Sequence, residues 1–222
     1  MLKKVSRDVS QQEIKMLDSA GTLREDGLER TAIFDVTGQY RYQLGRRWRS
    51  HGPTVVFIML NPSRADAICD DPTLRACMQF AQRWEYAALT VVNLFGYRTP
   101  YPNELKRVID PVGPDNDHYV MEAVGRAQRV VLAWGNGGAL QRRDRTILNS
   151  LKSYQAKLSY LRLNRSGQPC HPLYVKRDTP LSLYPSDTIP AIPTDSENAT
   201  NYPRPCQIRP QPLSAPSAGS VR

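Results

Sequence analysis

The stretch TVVFIMLNPS, from Thr54 to Ser63, decides how this chain is read. An apolar run of β-branched and aliphatic residues without alternation suits a strand buried on both faces, as in a parallel sheet covered by helices. It stops at an asparagine followed by proline. The pattern then recurs. LTVV (Leu89 to Val92) runs into Asn93-Leu94-Phe95, and RVVLAW (Arg129 to Trp134) into Gly135-Asn136-Gly137-Gly138. LSYLRL (Leu158 to Leu163) leads by a short turn to His171-Pro172. Ligands of such sheets bind beyond the carboxyl ends of the strands. Asn61, Asn93, Asn136 and His171 are therefore expected to meet at one edge.

Helical patterns fall between these runs. Asp71-Pro72 pairs an N-cap residue with a proline at the first helical position, and Leu74, Cys77, Met78, Ala81 and Trp84 follow at helical spacing. A second helix is expected near Asp115, burying Val120, Ala123, Val124 and Ala127. A third follows Gly138, with Leu140, Ile147, Leu148 and Leu151 inward and Arg142, Arg143 and Arg145 outward. Strands and helices in alternation describe a three-layer α/β domain. Upstream, Thr31–Val36 and Gln39–Leu44 flank Thr37-Gly38 and read as an N-terminal β-hairpin. Arg46-Arg47-Trp48-Arg49 closes it, read as a solvated strand end ahead of a phosphate-gripping, base-stacking patch.

The chain has 222 residues, and 30 Lys and Arg against 21 Asp and Glu leave a formal charge of +9. That surplus suits a polyanionic partner, and it equally suits a merely solvated basic surface. Cys69, Cys77, Cys170 and Cys206 form no C-x-x-C pattern, which argues against structural zinc. No metal or cofactor is expected. The thiols fit a reducing, cytoplasmic setting, and no apolar stretch reaches the roughly 20 residues of a membrane-spanning helix. Residues 1–30 read as a polar segment with a short helix capped at Ser10–Glu13, and residues 31–181 as the α/β domain. Residues 182–222 read as a disordered tail, since nine of the 18 prolines lie between Pro180 and Arg222 in a stretch with few large apolar residues. The oligomeric state is left open.

Each polar strand end has a chemical and a structural reading. Asn61, held extended by Pro62, can orient a water molecule or merely open a turn. Asn93, among Val91, Val92, Leu94 and Phe95, needs partners once buried; it serves a neighbouring loop or the edge of a base. Gly135 and Asn136 can present backbone amides to a ligand, and close helix–strand packing explains the glycines as well. His171 can donate to an oxygen that gains charge in a transition state. Cys170 beside it points to the opposite face of an extended segment, which makes the two a poor nucleophile–base pair. Asp66, Asp70 and Asp71 form an acidic cluster in which one residue caps a helix, leaving Asp66 or Asp70 for recognition.

Six ordered motifs, among them Leu60-Asn61-Pro62-Ser63-Arg64-Ala65-Asp66, Asp70-Asp71-Pro72-Thr73, Val91-Val92-Asn93-Leu94-Phe95 and His171-Pro172-Leu173-Tyr174, resemble the bacterial DUF1643 family, a domain of unknown function. More distantly, their order and placement are similar to the uracil-DNA glycosylase superfamily. That resemblance implies an α/β/α sandwich around a mainly parallel four-stranded sheet. It implies that Asn61 positions the attacking water, Asn93 reads the base and His171 donates to the base carbonyl, with Leu173 at the position of a duplex wedge. Phe95, Tyr97 or Trp134 would stack on the base, and Arg64 and Arg98 would contact phosphate. Ser63, Asp66, Asp70, Gly135 and Asn136 complete the expected ligand-binding set. The departures are Leu173, where the superfamily has serine after His-Pro, and the Asp70–Thr73 element, which has no counterpart there.

The expected function is thus a glycosylase-like domain that binds a nucleobase or nucleic acid and hydrolyses an N-glycosidic bond. The alternatives are a non-catalytic nucleic-acid or nucleotide-binding module, and a small-metabolite enzyme that uses the Asp cluster.

Overall fold

The computed structural model describes residues 22–25 and 27–185. The N-terminal helix expected at Ser10–Glu13 and the chain beyond residue 185 lie outside the described residues.

Eight strands form one sheet: β1 (Thr22–Glu25), β2 (Leu28–Phe34), β3 (Arg41–Arg47), β4 (Thr54–Met59), β5 (Ala88–Asn93), β6 (Arg129–Leu132), β7 (Leu158–Tyr160) and β8 (Ser182–Leu183). Their spatial order is β1-β2-β3-β5-β4-β6-β7-β8. Among the described residues three α-helices accompany them: α1 (Pro72–Arg83), α2 (Asn116–Arg126) and α3 (Arg143–Ser150). The α/β class holds, but a mainly parallel four-stranded sheet is too narrow a description. Four of the seven strand pairings are antiparallel. The parallel pairings join β5, β4, β6 and β7, the strands of the four apolar runs.

The absence of alternation in β4 has a simple cause. Val55, Phe57 and Met59 pack into one core with Leu74, Cys77 and Phe80 of α1. Val56 and Ile58 pack into a second core, on the other face, with Val120 and Val124 of α2 and Ile147 and Leu148 of α3. Burying each such side chain stabilises by roughly 1.5–3 kcal/mol. The α1 start forms as the sequence dictates: the Asp71 side chain accepts from Leu74 N at 2.7 Å, with Pro72 in the first helical turn.

Both flanks depart from expectation. β2 begins at Leu28 and pairs with β1, so strand structure starts inside the segment read as polar. At the far flank, β8 pairs with β7 and Tyr184 enters the core, so the fold runs into residues read as tail. Three arginines expected on the surface or left unremarked are buried: Arg41, Arg46 and Arg143. No helix among the described residues is long and apolar enough to cross a membrane.

Candidate functional site

A cavity of about 300 Å³ opens at the carboxyl ends of the parallel strands. Asn61 and Ser63 reach it from the end of β4, Asn93 from β5, Trp134, Gly135 and Asn136 from β6, and His171 from beyond β7. These strand ends, from separate parts of the sequence, share one cavity. Two further contributors come from elsewhere. The first turn of α1 supplies Asp71 and Thr73, and the start of β3 supplies Arg41. β3 runs antiparallel to β5, with Leu44 opposite Val91. Its beginning therefore lies beside its neighbour's end, and Arg41 N donates to Gly96 O at 3.0 Å.

Asn61 is held in one orientation. Its Nδ2 donates to Pro62 O at 2.9 Å and to Thr99 O at 2.8 Å. Both amide hydrogens are thereby committed to carbonyls, and Oδ1, a neutral acceptor, remains for the cavity.

Asn93 is the opposite case. Its side chain is 1 % exposed and its Nδ2 has no hydrogen-bond partner. A buried donor left unpaired costs about 1–3 kcal/mol. The backbone around it is well held: Asn116 Nδ2 donates to Asn93 O at 3.0 Å, and Arg143 Nε donates to Leu94 O at 2.8 Å. Arg143 also pairs with Asp117, and burial pushes its guanidinium pKa down to about 10. Its task is to fix the chain just past Asn93.

His171 Nδ1 accepts from Leu173 N at 3.3 Å, which places the proton of the neutral ring on Nε2. Burial lowers its pKa, with Asp71 acting in the opposite sense. The ring is therefore a neutral donor at physiological pH. Tyr174 packs against it at 5.5 Å between ring centroids and is otherwise exposed.

The β6 end is shaped by close approach. Gly135 adopts φ +70°, a left-handed backbone that suits glycine, and its N donates to Pro169 O at 2.8 Å. A Cβ on Gly138 would collide with the Trp134 ring, whose Nε1 donates to Gln168 Oε1 at 2.6 Å. Asn136 Oδ1 accepts from Asn164 and Ser166, so this side chain ties down the following loop.

Other expected site residues lie elsewhere. Phe95 is a core residue on the α2 side. Asp66 Oδ1 accepts from Ile68 N and Cys69 N and orders its own loop. Asp70 pairs with Arg46 at 2.8 Å and Arg30 at 3.0 Å, so Arg46 is a buried ion-pair partner and no solvated strand end. Of the acidic cluster only Asp71 lines the cavity, and among the described residues no three His, Cys, Asp or Glu side chains gather as metal ligands do. Arg64 and Arg98 line a shallower recess that shares Ser63, Thr99 and Pro100 with the cavity. Arg98 sits 4.7 Å over the Phe34 ring and donates to Gly38 O. Cys170 is buried in the α1-side core.

Arg41 is the residue that sequence reasoning missed. Nothing in the alternating pattern Tyr40, Tyr42, Leu44 marks the intervening arginine as buried. Tyr174, the last residue of the His171–Tyr174 motif, also lines the cavity.

A family model described as a protein of unknown function (DUF1643) matches residues 41–173. No curated protein and no solved structure matches the chain.

Proposed function

The chain belongs to the DUF1643 family, and we propose that its cavity binds a nucleobase and hydrolyses the N-glycosidic bond that carries it. The observation behind this reading is the unpaired Nδ2 of Asn93, buried in a cavity that it shares with Asn61 and His171. Such a donor asks for a carbonyl acceptor from a ligand. A base carbonyl supplies one, and Trp134 offers an apolar wall beside it.

In this scheme Asn61 Oδ1 accepts a hydrogen bond from water and orients it toward C1′. The water oxygen–C1′ bond forms as the C1′–N bond breaks. The electron pair leaves with the base, which takes up the water's proton by way of solvent. His171 Nε2–H donates to the base carbonyl as negative charge builds there. An amide is no base, so the reaction depends on a leaving group that departs early. A glycosylase-like arrangement of four parallel strands belongs to the same proposal.

The amide at Asn61 also favours a second reading, in which the site binds a base or nucleotide without turnover. The metabolite reading has less behind it, because Asp66 and Asp70 are spent on loop order and ion pairing.

The test is release of free base, followed by mass spectrometry, from single- and double-stranded DNA and RNA with uracil and modified bases, and from free nucleotides. Wild type is expected to release base and Asn61→Ala to lose that release. Binding without release points to the non-catalytic module, and neither binding nor release rejects the nucleobase reading.

A further inference from the structure

Arg41 is 4 % exposed and lines the cavity, yet among the described residues it forms no ion pair. Its Nη1 donates to the Ala65 carbonyl, and its Nε has no hydrogen-bond partner. The contrast with the other buried arginines is informative. Arg46 is neutralised by Asp70 and Arg143 by Asp117, which is how proteins usually tolerate a charge removed from water. Burial lowers the Arg41 pKa to about 10 even though Asp71 acts to raise it. The Asp71 carboxylate is itself bonded to Leu74 N as the cap of α1. Arg41 remains protonated at neutral pH, so the cavity wall carries a cation with no direct ion-pair partner among the described residues, the Asp71 carboxylate of the same lining acting on it only at longer range. The first turn of α1, at the positive end of the helix dipole, lines the same space through Thr73 and Leu74.

We propose that Arg41 is the anchor for a terminal phosphate monoester, so that the cavity takes a mononucleotide-like small molecule in preference to a base presented by an intact duplex. A planar guanidinium fork matches phosphate oxygens. The diester phosphates of a duplex stay on its outer surface, and a flipped-out base enters a pocket ahead of its backbone. A guanidinium buried within the cavity wall is better placed for a phosphate at the end of a ligand. The cavity's other features divide the ligand between them: Arg41 takes the anion and Asn93 the carbonyl. At about 300 Å³, the space lies at the small end of small-molecule pockets. The carbonyl half of this assignment rests on the nucleobase reading above; the phosphate half does not.

The experiment is isothermal titration of the full chain with inorganic phosphate, ribose 5-phosphate, the common ribonucleosides and their 5′-monophosphates, for wild type, Arg41→Met and Arg41→Lys. Wild type is expected to bind at least one monophosphate about ten-fold or more tightly than its nucleoside, as charge-assisted hydrogen bonds allow. Arg41→Met should abolish that difference, and Arg41→Lys, a charge without the fork, should keep part of it. Arg41→Met is also expected to be no less stable than wild type in phosphate-free buffer, because it removes a buried charge that has no direct ion-pair partner. A nucleoside that binds as tightly as its monophosphate would overturn the anchor and leave the base reading standing. Ribose 5-phosphate bound while nucleosides are not would keep the anchor and sink the base reading. A 5′-phosphorylated oligonucleotide that outcompetes every free mononucleotide would overturn the small-molecule preference. Should Arg41→Met fail to fold, the wild-type comparison of nucleoside with monophosphate decides alone.

Discussion

Asn93 and Arg41 share a trait: each is buried with a side-chain nitrogen that no nearby protein group satisfies. The half-buried ring of His171 beside them has a consequence in pH. An unfolded histidine titrates near 6.5, and burial sets the folded value below that. Between the two values the unfolded chain binds more protons than the folded one, so stability rises with pH there. The contribution is fully present above about pH 6.5 and is lost as pH falls toward the folded pKa. Denaturant titrations at about pH 7.5 and about pH 5.5 should show wild type losing more stability on acidification than His171→Gln does. Equal losses in the two proteins would mean that the ring is not held neutral. Cavity binding should weaken only at lower pH, as pH falls through the folded value and the native ring itself takes up a proton, since the arrangement around Nδ1 is built for the neutral ring.

At the scale of elements, the chain after β6 sets the cavity wall by contact distance. Gly138 and Gly137 pack against different neighbours: the Trp134 ring and the Leu60 methyls, respectively. The Leu60 side chain is half-buried and can turn aside, whereas Trp134 is buried and tied to Gln168. Gly138→Ala is therefore expected to cost about 1–3 kcal/mol through overpacking and to weaken cavity binding as the ring shifts. Gly137→Ala should cost measurably less by the same denaturant titration. Just downstream, Gln141 and Arg142 both adopt left-handed backbone angles, φ 53° and 55°. This double turn ends the segment Gly135–Arg142 and starts α3 with Arg143 facing inward. The helical pattern of the sequence placed Arg143 outside because a periodic count cannot register a break in the helix. The same counting succeeded at α1, where Asp71-Pro72 fixes the phase and Leu74, Cys77 and Ala81 all face the core.

Across the whole molecule, what was legible followed from burial on both faces. The runs at Thr54, Leu89, Arg129 and Leu158 are strands because their two faces meet different cores, and their ends converge because parallel strands share a direction. The flanks were legible only in part. The hairpin of β2 and β3 was marked by its turn, whereas the start of β2 at LER, half-buried near the sheet edge, and the two-residue pairing at Ser182–Leu183 give no periodic signal. Arg41 was hidden by topology, since only the antiparallel pairing of β3 with β5 brings it to the cavity. The +9 charge reads as a surface property, and it says nothing of which arginine lies inside.

The two flanking strand pairs also govern how this protein can be cut. The family match begins at Arg41 and ends at Leu173, inside the sheet on both sides. A fragment with those limits would strip β2 from β3 and β8 from β7, and would remove Tyr184 from its core. Two rows of unpaired backbone amides and carbonyls would then face solvent, each a template for another copy. Residues 41–173 alone are expected to precipitate or polymerise at concentrations where residues 22–185 remain monodisperse in size-exclusion chromatography. The heart of a sheet is thus its least independent piece, and the plain strands at the margin are what keep it from propagating.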